Sequence, residues 1–224
     1  MLRSLCPMID QYRVILASSS PRRKEIMGLL GVKYEVVPSS FVEEDLISSS
    51  FATVSDFVLT TSRGKAKEVF MRLACEKTTS DETLLVIGAD TSVSVSTGTE
   101  DVMGKPKTPE KAVEMLKKLR DMKRHFVFTG VSIWHGEASD PKVHEFTCAT
   151  EVDFSSKAMT DEAINAYVAT GEPLDKAGGY GVQGLGGAFV EGIRGDFYNV
   201  IGLPFNKLHE ALVTIVEEDK GTAL

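Results

Sequence analysis

The run Leu84-Leu-Val-Ile-Gly-Ala-Asp90 constrains this chain more than any other segment. Six apolar or small residues in succession, without alternation, describe a strand covered on both faces. An aspartate at its end puts a carboxylate at the carboxyl edge of such a sheet, where open α/β folds place their ligands. A buried carboxylate needs a partner, and a metal ion or an arginine would serve. An aspartate capping a turn is the plainer alternative for Asp90.

The flanking segments extend the pattern. Arg13 to Ala17 reads as a second buried strand, and Ser18-Ser-Ser20-Pro21 as a helix start with a serine cap and a proline in the first turn. Arg22 to Leu30 is then helical, stopped by Gly31. Tyr34 to Val37 suggests a short strand, and Ala52 to Cys75 a long helix interrupted near Gly64. Thr108-Pro109-Glu110 opens a helix whose apolar positions Ala112, Met115, Leu116 and Leu119 share one face. His125 to Trp134 and Val143 to Phe154 read as antiparallel strands joined by a turn over Gly136 to Pro141. Thr160 caps a helix ending at Gly171, Ala188 to Ile193 reads as a strand, and Pro204 to about Val216 as the last helix. Alternating strands and helices predict an α/β three-layer sandwich with a mixed central sheet. The expectation is a single domain over 1–224, with residues 1–12 a short N-terminal extension.

Composition narrows the function. With 25 Lys+Arg against 32 Asp+Glu, the formal charge of −7 disfavours non-specific nucleic-acid binding, which needs a basic stripe. No apolar run approaches the ~18 residues of a membrane span, and Met1 to Arg13 lacks the apolar stretch of a secretory signal. Cys6, Cys75 and Cys148 are too few and scattered for a disulfide framework or zinc site, so reduced thiols in a cytoplasmic enzyme are expected. His125, His135, His144 and His209 lack metal-ligand spacing and read as structural or exposed.

Four clusters carry the chemistry. Ser18 to Arg23 sets two guanidinium forks in the first turn of a helix whose N–H groups already attract anions; a capped helix with two solvated arginines fits equally well. Lys65 shares a helix face with Val54, Val58 and Val69 and so points inward, although from that alone a snorkelling structural lysine is the simpler reading. Gly104-Lys105-Pro106 puts a lysine in a constrained loop. Asp175-Lys176 is followed by six glycines between Gly178 and Gly187, with Tyr180 and Gln183 among them. Such a backbone can approach a ligand closely, and Gln183 offers both a donor and an acceptor to the edge of a base. A merely flexible loop remains the alternative.

Together these segments resemble the Maf family of nucleoside triphosphate pyrophosphatases. The matching stretches are LASSSPRRKEIM (Leu16 to Met27), the acid in VVPSSFVEEDL, RGKAK, GADTSV, GKP, EPLDKAGGYGVQGLGG (Glu172 to Gly187) and NVIGLP, in family order from Val14 onward. The resemblance implies a fold similar to the inosine triphosphate pyrophosphatases and hydrolysis of a nucleoside triphosphate to monophosphate and pyrophosphate with Mg²⁺ or Mn²⁺. It assigns Asp90 as proton acceptor, with Glu43, Lys65 and Lys105 beside it. Glu43 and Asp90 would hold the metal, and Ser18, Arg23, Asp175 and Lys176 the substrate. Arg22, Thr91 and Gln183 resemble the specificity set of the branch acting on dTTP and UTP. The branch acting on 7-methyl-GTP typically carries Ser-Asp-Gln where this chain has Ala89-Asp90-Thr91. In the acidic loop Val42 stands where the family often has an acid; alignment favours Glu43 over Glu44 and Asp45. A homodimer fits the family pattern. A nucleotide-binding regulator of division without turnover is the competing class.

Overall fold

The computed structural model describes residues 7–43, 46–76 and 83–221. Cys6, Glu44, Asp45 and the first half of the expected N-terminal extension lie outside them. In chain order the elements are β1 (Tyr12–Leu16), α1 (Pro21–Leu29), β2 (Glu35–Val36), α2 (Val54–Glu76), β3 (Thr83–Ser94) and α3 (Pro109–Met122). They continue with β4 (Arg124–Glu137), β5 (Asp140–Phe154), α4 (Asp161–Ala169), β6 (Val190–Arg194), α5 (Phe197–Ile201) and α6 (Phe205–Gly221). The strands form one sheet in the order β2-β1-β3-β4-β5-β6. β1 runs parallel to both β2 and β3, and the remaining pairs are antiparallel, so the sheet is mixed as expected.

Strand alternation sorts the core into two faces. Ile15, Val86 and Trp134 point to one side, where α2 covers them with Ala66, Val69 and Phe70. Leu16, Leu85, Ile87, Val131 and Ile133 point to the other, under Ile26, Met27, Leu208 and Leu212 of α1 and α6. Farther along that second face, Val93, Val127 and Val152 pack on Leu116 and Leu119 of α3 and Ile164 of α4. The result is three layers.

One agreement with the sequence and one departure from it matter for the site. The alternation of Val93 and Val95 carries the strand on past Asp90, and β3 does continue to Ser94, paired with β4 up to Ser94↔Phe126. What ends is the neighbour. β1 stops at Leu16, opposite Ile87, so β3 has an open flank past that point until Val93, which bridges to Met103. Gly64 does not interrupt α2, which runs unbroken. A Cβ there would lie 2.5 Å from the Phe41 ring, so the missing side chain lets the loop carrying Glu43 lie against the helix.

Smaller departures have local causes. The β4–β5 hairpin is tighter than expected, with Gly136 paired to Pro141 and Glu137 to Asp140. Gly136, at φ 95°, and a proline at the exposed strand edge suit the ladder as well as a loop. β6 begins at Val190 because Leu185–Phe189 coils into a short 3₁₀ turn. Ser20 occupies the cap position of α1 but makes no side-chain capping bond. The helix α5, unforeseen in the sequence, is started by Asp196, whose carboxylate accepts from Tyr198 N and Asn199 N.

Candidate active site

Where β1 gives out, the loops after β1, β2 and β3 and the glycine-rich segment enclose a cleft of about 620 Å³. Its described lining includes six cations, Arg22, Arg23, Lys65, Lys105, Lys107 and Lys176, against three carboxylates, Glu43, Asp90 and Asp175. In a chain of net charge −7, that local excess of positive charge marks a site for an anion.

At the base of the cleft Asp90 is 8 % exposed and faces α2. Lys65, equally buried, donates from Nζ to Asp90 Oδ1 at 2.7 Å and pairs with Glu43 Oε1 at 2.9 Å. The lysine therefore does not snorkel; its ammonium sits between two carboxylates. Helix α2 reaches this depth because two glycines on its face of the sheet leave room. A Cβ on Gly88 would be 2.5 Å from Ser62 O, and one on Gly130 2.6 Å from the backbone of Val58 and Leu59.

Thr91 points to the opposite face, towards α1 and α5. Arg23 donates from Nη2 to Thr91 Oγ1 at 3.0 Å, from Nη1 to Ser18 Oγ at 3.2 Å and from Nε to Gly202 O at 2.9 Å. Burial pushes the Arg23 guanidinium down from its ordinary value, and the Asp90 and Glu43 carboxylates oppose this without reversing it. Its three-way grip on β3, the β1–α1 loop and the end of α5 makes Arg23 a brace for the cleft wall.

The mouth is framed by α1 and the glycine-rich segment. Arg22 Nη1 lies 3.9 Å from Asp175 Oδ2. Lys176 Nζ donates to Asp175 Oδ1 at 2.7 Å and to Glu172 O at 2.6 Å. Burial raises the Asp175 carboxyl, but Lys176 and Arg22 together hold it below the ordinary carboxylate value. Gln183 Nε2 donates to Glu25 Oε2 at 3.5 Å. Lys105 is exposed on the cleft wall, and Lys107, two residues on, is exposed beside it with a left-handed φ of 63°.

The structure thus brings all eleven sequence-selected residues to one cleft. Tyr180, named with Gln183 in the glycine-rich segment, lines it too; the structure adds Lys107 to the lining, and Glu25 and Glu172 as partners of the loop that carries Gln183. Lys107 was legible only as a second lysine after Gly104-Lys105-Pro106; its unusual backbone has no sequence signal. Among the described residues no three His, Cys, Asp or Glu side chains converge to hold a metal. Glu43 and Asp90 do converge on one cationic atom, Lys65 Nζ. Two hard oxygen donors suit a divalent cation whose other ligands are phosphate oxygens and water.

The match to known proteins decides the family. Residues 13–215 fit the model of the Maf-like proteins. The chain belongs to the Maf family. It is 44 % identical over 192 residues to a dTTP/UTP pyrophosphatase of Thermococcus kodakarensis, covering 85 % of this chain and 90 % of that one. It is also 44 % identical over 200 residues to a dTTP/UTP pyrophosphatase of Clostridium perfringens, covering 89 % and 95 %. A human protein named as a probable bifunctional dTTP/UTP pyrophosphatase/methyltransferase is 44 % identical over 218 residues. That match takes in 94 % of this chain but only 34 % of the human one, so this Maf chain spans about a third of it. Among the described residues, no helix is long and apolar enough to cross a membrane.

Proposed function

We propose that this Maf protein hydrolyses dTTP and UTP to the nucleoside monophosphate and pyrophosphate. The observation that carries the reading is the buried Lys65 ammonium held between Asp90 and Glu43 at the base of a cation-rich cleft. The names of relatives at 44 % identity support the substrate.

Splitting an α–β phosphoanhydride requires neutralising clustered negative charge and presenting a water in line. Arg22, Lys105 and Lys176 line the cleft where they can hold phosphate oxygens, and the N-terminus of α1, with no side-chain cap on Ser20, offers further N–H donors. In this reading Asp90 takes a proton from the attacking water. Lys65 keeps that carboxylate oriented and lends positive charge to the developing transition state. Glu43 and Asp90 would hold a Mg²⁺ or Mn²⁺ ion, which when bound would neutralise phosphate oxygens and lower the pKa of a bound water.

The test is a panel of nucleoside triphosphates with Mg²⁺, measuring pyrophosphate and inorganic phosphate separately. Pyrophosphate with the monophosphate, fastest from dTTP and UTP, is the expected result. Single-phosphate release, or tight binding without turnover, would refute the reading.

A further inference from the structure

Gln183 sits in the glycine-rich loop, and two glutamates outside the proposed catalytic set hold it from either side. Behind the loop, Glu172 Oε1 accepts from Tyr167 Oη at 3.0 Å and Gly186 N at 3.4 Å, while Oε2 accepts from Leu185 N at 3.1 Å. The chain wraps so closely that a Cβ on Gly184 would lie 2.5 Å from Glu172 Oε1. Tyr167 Oη also accepts from Gly181 N at 3.2 Å, and Gly184 N donates to Gly181 O at 3.2 Å to close the turn that carries Gln183. Glu172 is therefore the post around which residues 181–186 are folded.

In front of the loop, the Gln183 Nε2 to Glu25 Oε2 bond is long, at 3.5 Å, and exposed. Its consequence is orientation rather than strength. An ionised carboxylate only accepts hydrogen bonds, so it favours the amide NH₂ and repels the amide oxygen. With Nε2 turned to Glu25, Oε1 is the amide atom of Gln183 left for a ligand in the cleft that this residue lines.

We propose that Glu172 and Glu25 are positioning residues for base selection: the first fixes the loop, the second fixes the sense of the Gln183 amide, and together they present an acceptor. The inference rests on the pyrimidine triphosphate reading above. Uracil and thymine carry a donor, N3–H, and satisfy that acceptor. Cytosine has an unprotonated N3 there, and acceptor would face acceptor. A polar site of this kind discriminates because a mismatched base that covers Gln183 leaves its amide oxygen without a donor.

The experiment measures kcat and KM for UTP and CTP with Mg²⁺ on the whole protein, for wild type, Glu25→Gln and Glu172→Gln, with thermal melts as a folding control. A glutamine at 25 can accept or donate, so it frees Gln183 to turn over. Glu25→Gln is expected to raise kcat/KM for CTP, lower it for UTP and narrow their ratio by roughly tenfold. If Glu25 acted only through its charge on the triphosphate, both substrates would move together and the ratio would stay, which would overturn the proposal. Glu172→Gln is expected to raise KM for UTP more than it lowers kcat; should it melt early, Glu25→Gln decides alone. A wild-type protein with no preference for UTP over CTP would instead remove the substrate reading on which the inference stands.

Discussion

Gly130 stands directly across the β3–β4 ladder from Asp90, and no larger residue fits there. A Cβ on Gly130 would press to 2.6 Å on the α2 backbone at Val58 and Leu59, one to two turns before Lys65. The distance between the carboxylate and its lysine is thus set by how deeply a helix can sit on a sheet. Packed interiors do not absorb an extra methyl group freely.

Gly130→Ala is accordingly expected to lift α2 locally, costing about 1–3 kcal/mol of stability and lowering kcat. Urea unfolding together with steady-state kinetics checks this. An alanine variant of wild-type stability and rate would show that the close approach is not needed.

Asp90→Asn tests the carboxylate itself. Asparagine keeps the size of the side chain, and Lys65 retains its pairing with Glu43 at 2.9 Å, so the fold is expected to persist. Turnover of UTP is expected to fall by roughly 10² or more, the range for loss of a general base or charge-stabilising group. A well-folded variant with near-normal turnover would sink the assigned role.

Metal dependence is expected from the donor set at the cleft base, which among the described residues offers carboxylate oxygens and no thiolate or imidazole. Treatment with EDTA is expected to abolish pyrophosphate release, and Mg²⁺ or Mn²⁺ to restore it. Undiminished activity after exhaustive chelation is the result that counts against it.

Much of the site was legible because its residues break local rules. Asp90 ends an apolar run, Arg22 and Arg23 sit where a helix dipole disfavours cations, and the glycines from 178 to 187 are too dense for a regular element. Lys65 showed only that it faced inward; its role depends on Asp90 and Glu43, which are distant in sequence. Glu25 and Glu172 fall inside the matching stretches but carried no signal of a role, since an exposed helical glutamate and a glutamate before a proline are ordinary. Their function exists only in the wrapping of one loop. In the fold, Gly64 and Gly130 misled or stayed silent for the same reason: a glycine demanded by close approach looks in sequence like one that breaks a helix or weakens a strand.

The last prediction concerns acid stability. His125 is buried in the cluster around Phe154 and Tyr180, with Nε2 2.8 Å from Tyr180 Oη, and Tyr180 also lines the cleft. Burial pushes the His125 imidazole down to about 3 from an ordinary 6.5, with only the Asp153 carboxylate opposing. Between those values the unfolded chain binds a proton at this side chain that the folded chain refuses. Stability therefore rises with pH across the window and falls as the solution is acidified from 6.5 towards 3, by on the order of 1 kcal/mol per pH unit once the unfolded histidine is charged. His135, also lowered by burial, acts in the same direction. His125→Gln keeps a partner for Tyr180 and removes the titration, so its stability is expected to decline less steeply than wild type between pH 6 and 4 in paired urea titrations. Parallel declines would show that the acid sensitivity arises elsewhere.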